Sequence, residues 1–470
     1  MKAADVLEAL TGVRPDIDLT ISEAVIDSRT VRDKGMFIAI PGEHVDGHDF
    51  VSQAFDNGAA LVLVEKQVNT EIPSIDTTQT ISLKSLRELK LPALVRVENT
   101  VAALQKIASW WRDKHQVRVV GITGSVGKST TKELVAAVLS ERYSVLKNKG
   151  NLNNEIGLPL SLLQLNADHE VAVLEMGFYV PGEIKLLCDI AKPEIGVITN
   201  IGTVHAERAG SKEVIAQGKA ELIEALPVNG TAILNFDDPY VRPMEAKANC
   251  SVLWYGLDPE ADWWADEIVS DGLKGIQFKL HFHRDELKLK VPMIGRHSVH
   301  TILRAVAVAQ SLGMDIPEII HALTQNRSQL RLVVTKTKSG ATVIDDSYNA
   351  SPESTLAALN LLDEIPGRKI AILGDMLELG QYERQGHELV GRRASEVVDL
   401  LITVGKLGKT LGESAVCYNF PAEKVVHFDE VPDVSGYLKT ILQENDIVLI
   451  KGSNGLRMDR IVSALEVNSG

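Results

Sequence analysis

Cysteine is scarce, positive charge is in deficit and long apolar runs are missing, and each shortage removes a class of function. The three cysteines, Cys188, Cys250 and Cys417, lie far apart and form no CxxC pair. They offer neither a disulfide framework nor zinc spacing, and they read as buried free thiols in a reducing compartment. No apolar run approaches the roughly 18 residues that cross a bilayer, and Met1–Thr20 lacks the apolar core of a signal peptide. A formal net charge of -14 disfavours nonspecific binding to DNA, RNA or anionic membranes. It leaves room for a local basic pocket that takes a small phosphorylated molecule. Short repeats and low-complexity tracts are also missing. The expectation is a soluble, cytoplasmic protein with no nucleic-acid partner and no stable membrane insertion.

What is present is an ordinary globular balance, 45% hydrophobic and 24% charged over 470 residues. At about 100–200 residues per domain, that length predicts three domains. Residues 1–98 carry short apolar runs, Met36–Ile40 and Ala59–Val64, between Gly- and Asp-rich turns, which reads as a small α/β domain. Val101, Leu104, Ile107 and Ala108 have helical spacing, so Thr100–Trp111 is predicted to be a helix leading into the next domain. From Val117 strands alternate with helices: Val117–Thr123, a turn, a helix Thr130–Leu139, then runs at Val171–Met176, Gly196–Ile201 and Thr231–Asn235. This alternation predicts a mostly parallel sheet covered on both faces. The polar stretch Thr324–Gln329 marks a boundary. Beyond it Thr342–Asp345, Lys369–Gly374, Leu400–Val404 and Ile447–Lys451 read as strands, with helices beginning near Pro352, Arg384 and Pro432.

The sharpest chemical signal is Thr123-Gly124-Ser125-Val126-Gly127-Lys128-Ser129-Thr130, which follows a buried strand and opens a helix. Glycines let backbone amides converge on phosphate oxygens, the helix start adds positive potential, and Lys128 supplies a mobile cation. Ser129 has the position of a Mg²⁺-binding hydroxyl. The general pattern would place glycine where this chain has Ile122. By itself the loop specifies a nucleoside triphosphate and no reaction.

This variant of the loop resembles that of the Mur ligase family. Asp27-Ser28-Arg29, Gly35–Gly42 and Asp46–Phe50 resemble the family's uridine-nucleotide-binding segment. Gly150–Gly157, Glu175-Met176-Gly177, Thr199–Gly202 with His205, and Lys219 follow in the family's order. Asp345–Ala350, Leu373–Gly380 and Lys451-Gly452-Ser453 resemble the members that add a D-alanyl-D-alanine dipeptide, and the Asp-Asn-Pro-Arg stretch of the diaminopimelate-adding members is absent.

The resemblance implies an α/β fold in three domains. Residues 1–98 would form the small α/β domain that binds the UDP-sugar-peptide. Residues 99–326 would form the central P-loop, parallel-sheet domain, and residues 327–470 a Rossmann-like domain for the incoming dipeptide. It implies an ATP-dependent ligase acting on UDP-N-acetylmuramoyl-tripeptide and D-alanyl-D-alanine, working as a monomer in peptidoglycan synthesis, and so in cell shape and division. Lys128 and the Gly124–Thr130 backbone would hold phosphates. Ser129 and Glu175 would bind one Mg²⁺, His205 would help bind a second, and Lys219 would be a further metal ligand. Lys219 would be carbamylated, turning a cation into an anionic oxygen ligand. Arg331 and Asp346 would contact ATP, Asn349 and Asp375 the dipeptide, and Ser28, Arg29, Gly42, Asn151, Asn153 and Asn154 the substrate.

Taken alone, the same residues keep blander readings. Glu175 reads equally as a solvated strand-end carboxylate. Lys219 reads as a surface lysine with a packed stem, His205 as an ordinary surface or core histidine, and the asparagines as turn residues. Ser298 and Thr301 stand where the family pattern G-x-H-N-x-x-N has asparagines, and a hydroxyl cannot offer an amide's paired donor and acceptor. Either another group serves there or nucleotide binding is weaker. The competing functions are another ligase of the superfamily, adding an amino acid to a UDP-linked dipeptide or glutamate to folate, and a non-catalytic nucleotide-binding homologue. Domain closure is expected to bring the third domain to the nucleotide, with Thr324–Gln329 as the hinge.

Overall fold

The computed structural model describes residues 1–42, 44–79, 82–325 and 333–465. Arg331 and most of the expected hinge, residues 326–329, lie outside the described residues. The chain divides into two compact units. The first comprises Met1–Gly121, Tyr143–Gly177 and Gly182–Glu194; the second comprises Ile122–Arg142, Phe178–Pro181 and the chain from Ile195 onward.

In the first unit five parallel strands form a sheet in the order Ala24–Val25, Gly35–Ile38, Ala59–Val64, Ala93–Arg96, Ser74–Asp76. Alternation along each strand divides its side chains between two cores. Met36, Ile38, Leu61 and Leu63 enter one and Phe37, Val62 and Val64 the other. That is why Ala59–Val64 reads as an unbroken apolar run: both faces are covered. The helix Thr100–Asp113 starts on Asn99, whose side chain accepts the amide of Ala102, and inserts Ala103, Leu104 and Ile107 into the first core. Strands Val145–Lys147 and Val171–Glu175 of this unit pair in parallel.

The second unit holds the helix Lys128–Leu139, which begins two residues earlier than its apolar spacing predicts. Strands Ile195–Ile198, Thr231–Asn235, Ser251–Gly256 and Trp263–Ser270 run parallel. Ile276–Phe282 and Asp285–Val291 then continue the sheet antiparallel. This hairpin corrects the expectation of simple strand–helix alternation up to the boundary. A second sheet runs in the order Val333–Lys336, Thr342–Asp346, Ile447–Lys451, Lys369–Gly374, Leu400–Val404, Val425–Phe428. All its pairs are parallel except the first. Its strands again feed two cores, with Ile344, Leu373 and Leu449 on one face and Val343, Ile372 and Ile450 on the other.

The thiol expectation holds in part. Among the described residues none of the three cysteines forms a disulfide, but only Cys188 is buried, while Cys250 is half-buried and Cys417 is exposed. No described helix is long and apolar enough to cross a membrane.

Candidate active site

The loop after Thr123 is fixed by backbone geometry. Gly124 has φ +146°, and a Cβ there would lie 1.8 Å from Thr199 Oγ1, so only glycine fits. Gly127, at φ +84°, opens the helix that starts with Lys128. The neighbouring strand end clamps the loop from one side. The amide of Ser125 donates to Asn200 O and that of Val126 to Asn200 Oδ1, both at 2.9 Å. Asn200 Nδ2 and Thr199 Oγ1 donate to Val126 O at 3.1 and 2.7 Å. Two loop amides are therefore committed inside the protein, and Asn200 is a buttress that sequence reading passes over as part of a motif.

Two cations converge behind this turn. Lys128 Nζ donates to the carbonyls of Gly124 and Ser125 at 2.9 and 3.2 Å. Lys219, on the helix Lys212–Glu224, is fully buried and donates to Gly124 O at 3.0 Å. Its ammonium lies 4.7 Å from the centre of the Phe178 ring. The ring needs the space that Gly218 leaves, since a Cβ at Gly218 would stand 2.0 Å from Phe178 Cε2. The surface-lysine reading of Lys219 is thereby overturned.

His205 sits at φ +68° ahead of the short helix Ala206–Ala209. Its Nδ1 lies 2.7 Å from Glu378 Oε2. Burial, reinforced by Lys128, Lys219 and Arg208, lowers its pKa to about 3. A neutral ring that donates from Nδ1 to this carboxylate carries its lone pair on Nε2. Further contacts join the same segment to the C-terminal sequence. The amide of Thr203 donates to Glu353 Oε1 at 3.0 Å, and Gln381 Nε2 donates to Gly210 O at 2.9 Å.

Glu175, in the first unit, is buried at the end of its strand, not solvated. Asn153 Nδ2 donates to its Oε1 at 2.8 Å, and Asn148 Oδ1 accepts its amide at 2.9 Å. Asn154 caps the helix Gly157–Leu162 by accepting the amide of Gly157 at 2.8 Å, and Asn151 is exposed. Ser28 is buried and donates to Gln53. Arg29 is exposed and paired with Asp27, and the amide of Gly42 donates to Val45 O. Mg²⁺ takes oxygen donors, often one or two carboxylates completed by phosphates and water. The buried hydroxyl of Ser129 and the carboxylate of Glu175 are donors of that kind. Among the described residues no group of three or more His, Cys, Asp or Glu side chains is arranged to hold a metal.

In the C-terminal sheet, Lys451 pairs with Asp346 at the strand ends and donates to Asn349 O at 2.9 Å. Asp375 Oδ1 accepts the amides of Leu407 and Gly408 at 2.9 and 2.7 Å, capping the helix Gly408–Cys417. Ser298 and Thr301 are both buried on the helix Ser298–Ser311. Ser298 donates to Ile294 O, and Thr301 accepts from Arg304, a residue sequence reading did not single out. Its signal was a lone cation in the run Ile302–Ala309.

Three family models cover most of the chain. The Mur ligase family catalytic domain matches residues 20–112, the Mur ligase middle domain 122–309, and the Mur ligase glutamate ligase domain 330–454. The chain belongs to the Mur ligase family. This Mur ligase is 35% identical to the UDP-N-acetylmuramoyl-tripeptide–D-alanyl-D-alanine ligase of Bacillus subtilis, over 97% of this chain and 95% of that one. It is 30% identical to the Escherichia coli protein of the same name, over 98% and 97%. A crystal structure of MurF from Acinetobacter baumannii superposes with a TM-score of 0.85 at 29% identity, covering 99% of this chain and 98% of the other. The Thermotoga maritima MurF ligase in complex with ADP gives 0.80 at 29% identity over 98% of both chains. Folylpolyglutamate synthase from Mycobacterium tuberculosis, at 15% identity and a TM-score of 0.60, shares the fold alone.

Proposed function

We propose that this Mur ligase joins D-alanyl-D-alanine to UDP-N-acetylmuramoyl-tripeptide at the expense of ATP, the last amide bond of a peptidoglycan precursor. The observation that carries the reading is the near full-length similarity to relatives bearing that name. A carboxylate oxygen of the tripeptide attacks the γ-phosphorus and ADP departs, leaving an acyl phosphate. The dipeptide amine then attacks the acyl carbon, inorganic phosphate leaves and the amine gives up a proton.

Such chemistry rests on positioning and on neutralising gathered negative charge. Lys128 would exchange its bonds to the Gly124 and Ser125 carbonyls for β- and γ-phosphate oxygens. The amides of Ser125 and Val126 are held by Asn200, so phosphate contacts are assigned to the stretch from Gly127 to Thr130. Mg²⁺, when bound, would supply charge neutralisation; the Ser129 hydroxyl and the Glu175 carboxylate are each proposed as oxygen ligands for it, as the family resemblance implies. Asn153 fixes the direction of the Glu175 carboxylate. His205, neutral and tethered by Glu378, is proposed to present Nε2 to a second ion beside Lys219. Carbamylation of Lys219 belongs to this part of the proposal, and it requires the amine to leave Gly124 O; intact mass after incubation with bicarbonate tests it.

Residues 1–98 are proposed to bind the UDP-sugar-peptide through Ser28, Arg29 and Gly42, with Asn151 and Asn154 contributing from residues 99–326. Residues 327–470 are proposed to supply Arg331 and Asp346 to ATP, and Asn349 and Asp375 to the dipeptide. A monomer in the cytoplasm suits a reaction that consumes ATP and a nucleotide-linked precursor. The test is phosphate release with substrates omitted in turn. Release that needs ATP, the UDP-linked tripeptide and the dipeptide together supports the reading. Release with a single amino acid and a UDP-linked dipeptide, or ATP binding without turnover, overturns it.

A further inference from the structure

Arg304 lies almost wholly out of water, at 4% exposure, on the helix Ser298–Ser311. Each of its three nitrogens donates once. Nε reaches Thr131 Oγ1 at 2.9 Å, Nη1 the Tyr255 hydroxyl at 3.1 Å and Nη2 Thr301 Oγ1 at 2.8 Å. All three acceptors are neutral hydroxyls, and among the described residues no carboxylate pairs with the guanidinium. A buried charge satisfied only by dipoles stays electrostatically uncompensated, which is the costly arrangement unless an anion arrives.

Its position says which anion. Thr131 sits on the first turn of the helix that opens the phosphate loop, and a Cβ placed on Gly127 would lie 3.4 Å from Arg304 Nη2. Thr131 also donates to Gly127 O at 2.6 Å, so the same hydroxyl ties Arg304 to the backbone of the loop. Tyr255 in turn donates to the carbonyls of Ile198 and Thr199 at 2.8 Å, and Thr199 is the residue that clamps Gly124 and Val126. One guanidinium thus braces both sides of the turn from behind.

We propose that Arg304 is a positioning residue for the nucleotide's phosphates: a fixed cation that holds the Gly124–Thr130 turn open and favours an oligophosphate in it. The hydroxyl at Thr301, where the family's pattern has an amide, then serves to seat this cation. The inference rests on the loop binding phosphate and not on which acceptor the ligase uses.

The test is equilibrium binding of ADP and, separately, of inorganic triphosphate to the full chain at fixed ionic strength. Arg304→Met is expected to weaken both by at least about tenfold, the effect of losing one charge at several ångströms in a partly shielded interior. The KM for ATP should rise while kcat changes far less. Arg304→Lys, which keeps the charge without the three-way brace, should recover part of the affinity for both. If only ADP weakens and triphosphate does not, the residue serves the adenosine part and the proposal fails; if neither weakens, it fails outright. Should Arg304→Met not fold, Thr301→Val and Arg304→Lys carry the test, and unchanged affinities in both overturn it.

Discussion

The ammonium groups of Lys128 and Lys219 meet at one atom, the carbonyl oxygen of Gly124, at 2.9 and 3.0 Å. One lysine is placed by the turn itself and the other arrives from a helix some ninety residues on, so the loop is positive from two directions before any nucleotide binds. Replacing Lys128 by Met removes the cation that would follow the transferred phosphoryl group. It is expected to lower kcat by about 100-fold or more with little change in the urea midpoint; a change in the midpoint alone would mark Lys128 as structural.

Gly124→Ala meets two obstacles at once, a positive φ and a Cβ 1.8 Å from Thr199 Oγ1. Backbone strain alone amounts to about 1–3 kcal/mol, and the clash adds to it. Thermal unfolding should show a clear drop in Tm, and ADP binding should be lost at temperatures where the variant is still folded. Retention of wild-type ADP affinity would show that the turn adjusts freely.

Tyr255 gives the protein an alkaline signature. Burial, only partly offset by Arg304, raises its pKa to about 12 from 10.0. The unfolded chain releases this proton near pH 10 and the folded chain only near 12. Stability from the neutral phenol is therefore complete below pH 10 and lost as pH climbs from 10 towards 12, with a slope of at most about 1.4 kcal/mol per pH unit. Urea unfolding at pH 9 and pH 11 should show this extra loss, and Tyr255→Phe should remove it.

Asp375 joins a local role to a proposed substrate role. Its carboxylate accepts the amides of Leu407 and Gly408, so Asp375→Ala should reduce stability by about 0.5–2 kcal/mol, as for other lost helix caps. Because the capped turn also shapes the proposed dipeptide subsite, the KM for D-alanyl-D-alanine should rise while the KM for ATP stays put. An increase in the ATP constant instead would place Asp375 at the nucleotide.

Much of this is legible in the sequence where the signal is local. The phosphate loop is legible because strand, glycines, lysine and hydroxyl are adjacent in the chain. Strands such as Leu400–Val404 and Ile447–Lys451 are legible because burial on both faces leaves unbroken apolar runs. The hairpin Ile276–Val291 is missed because its outward positions carry lysine, glutamate and histidine, and the alternation Leu287, Leu289, Val291 is easily lost among them. Other features depend on partners far along the chain. The clamp of Asn200 on Val126, the seat of Arg304 on Thr131 and the burial of Lys219 under Phe178 arise only once separate segments meet. A helical lysine with a packed stem looks the same in sequence whether its amine reaches water or the Gly124 carbonyl.

The most direct measurement of the central claim follows oxygen. The tripeptide's terminal carboxylate is labelled with heavy oxygen and turned over with ATP and D-alanyl-D-alanine. Passage through an acyl phosphate predicts that one labelled atom appears in the released inorganic phosphate and one stays in the new amide. Inorganic phosphate free of label, with amide product formed, would contradict the account.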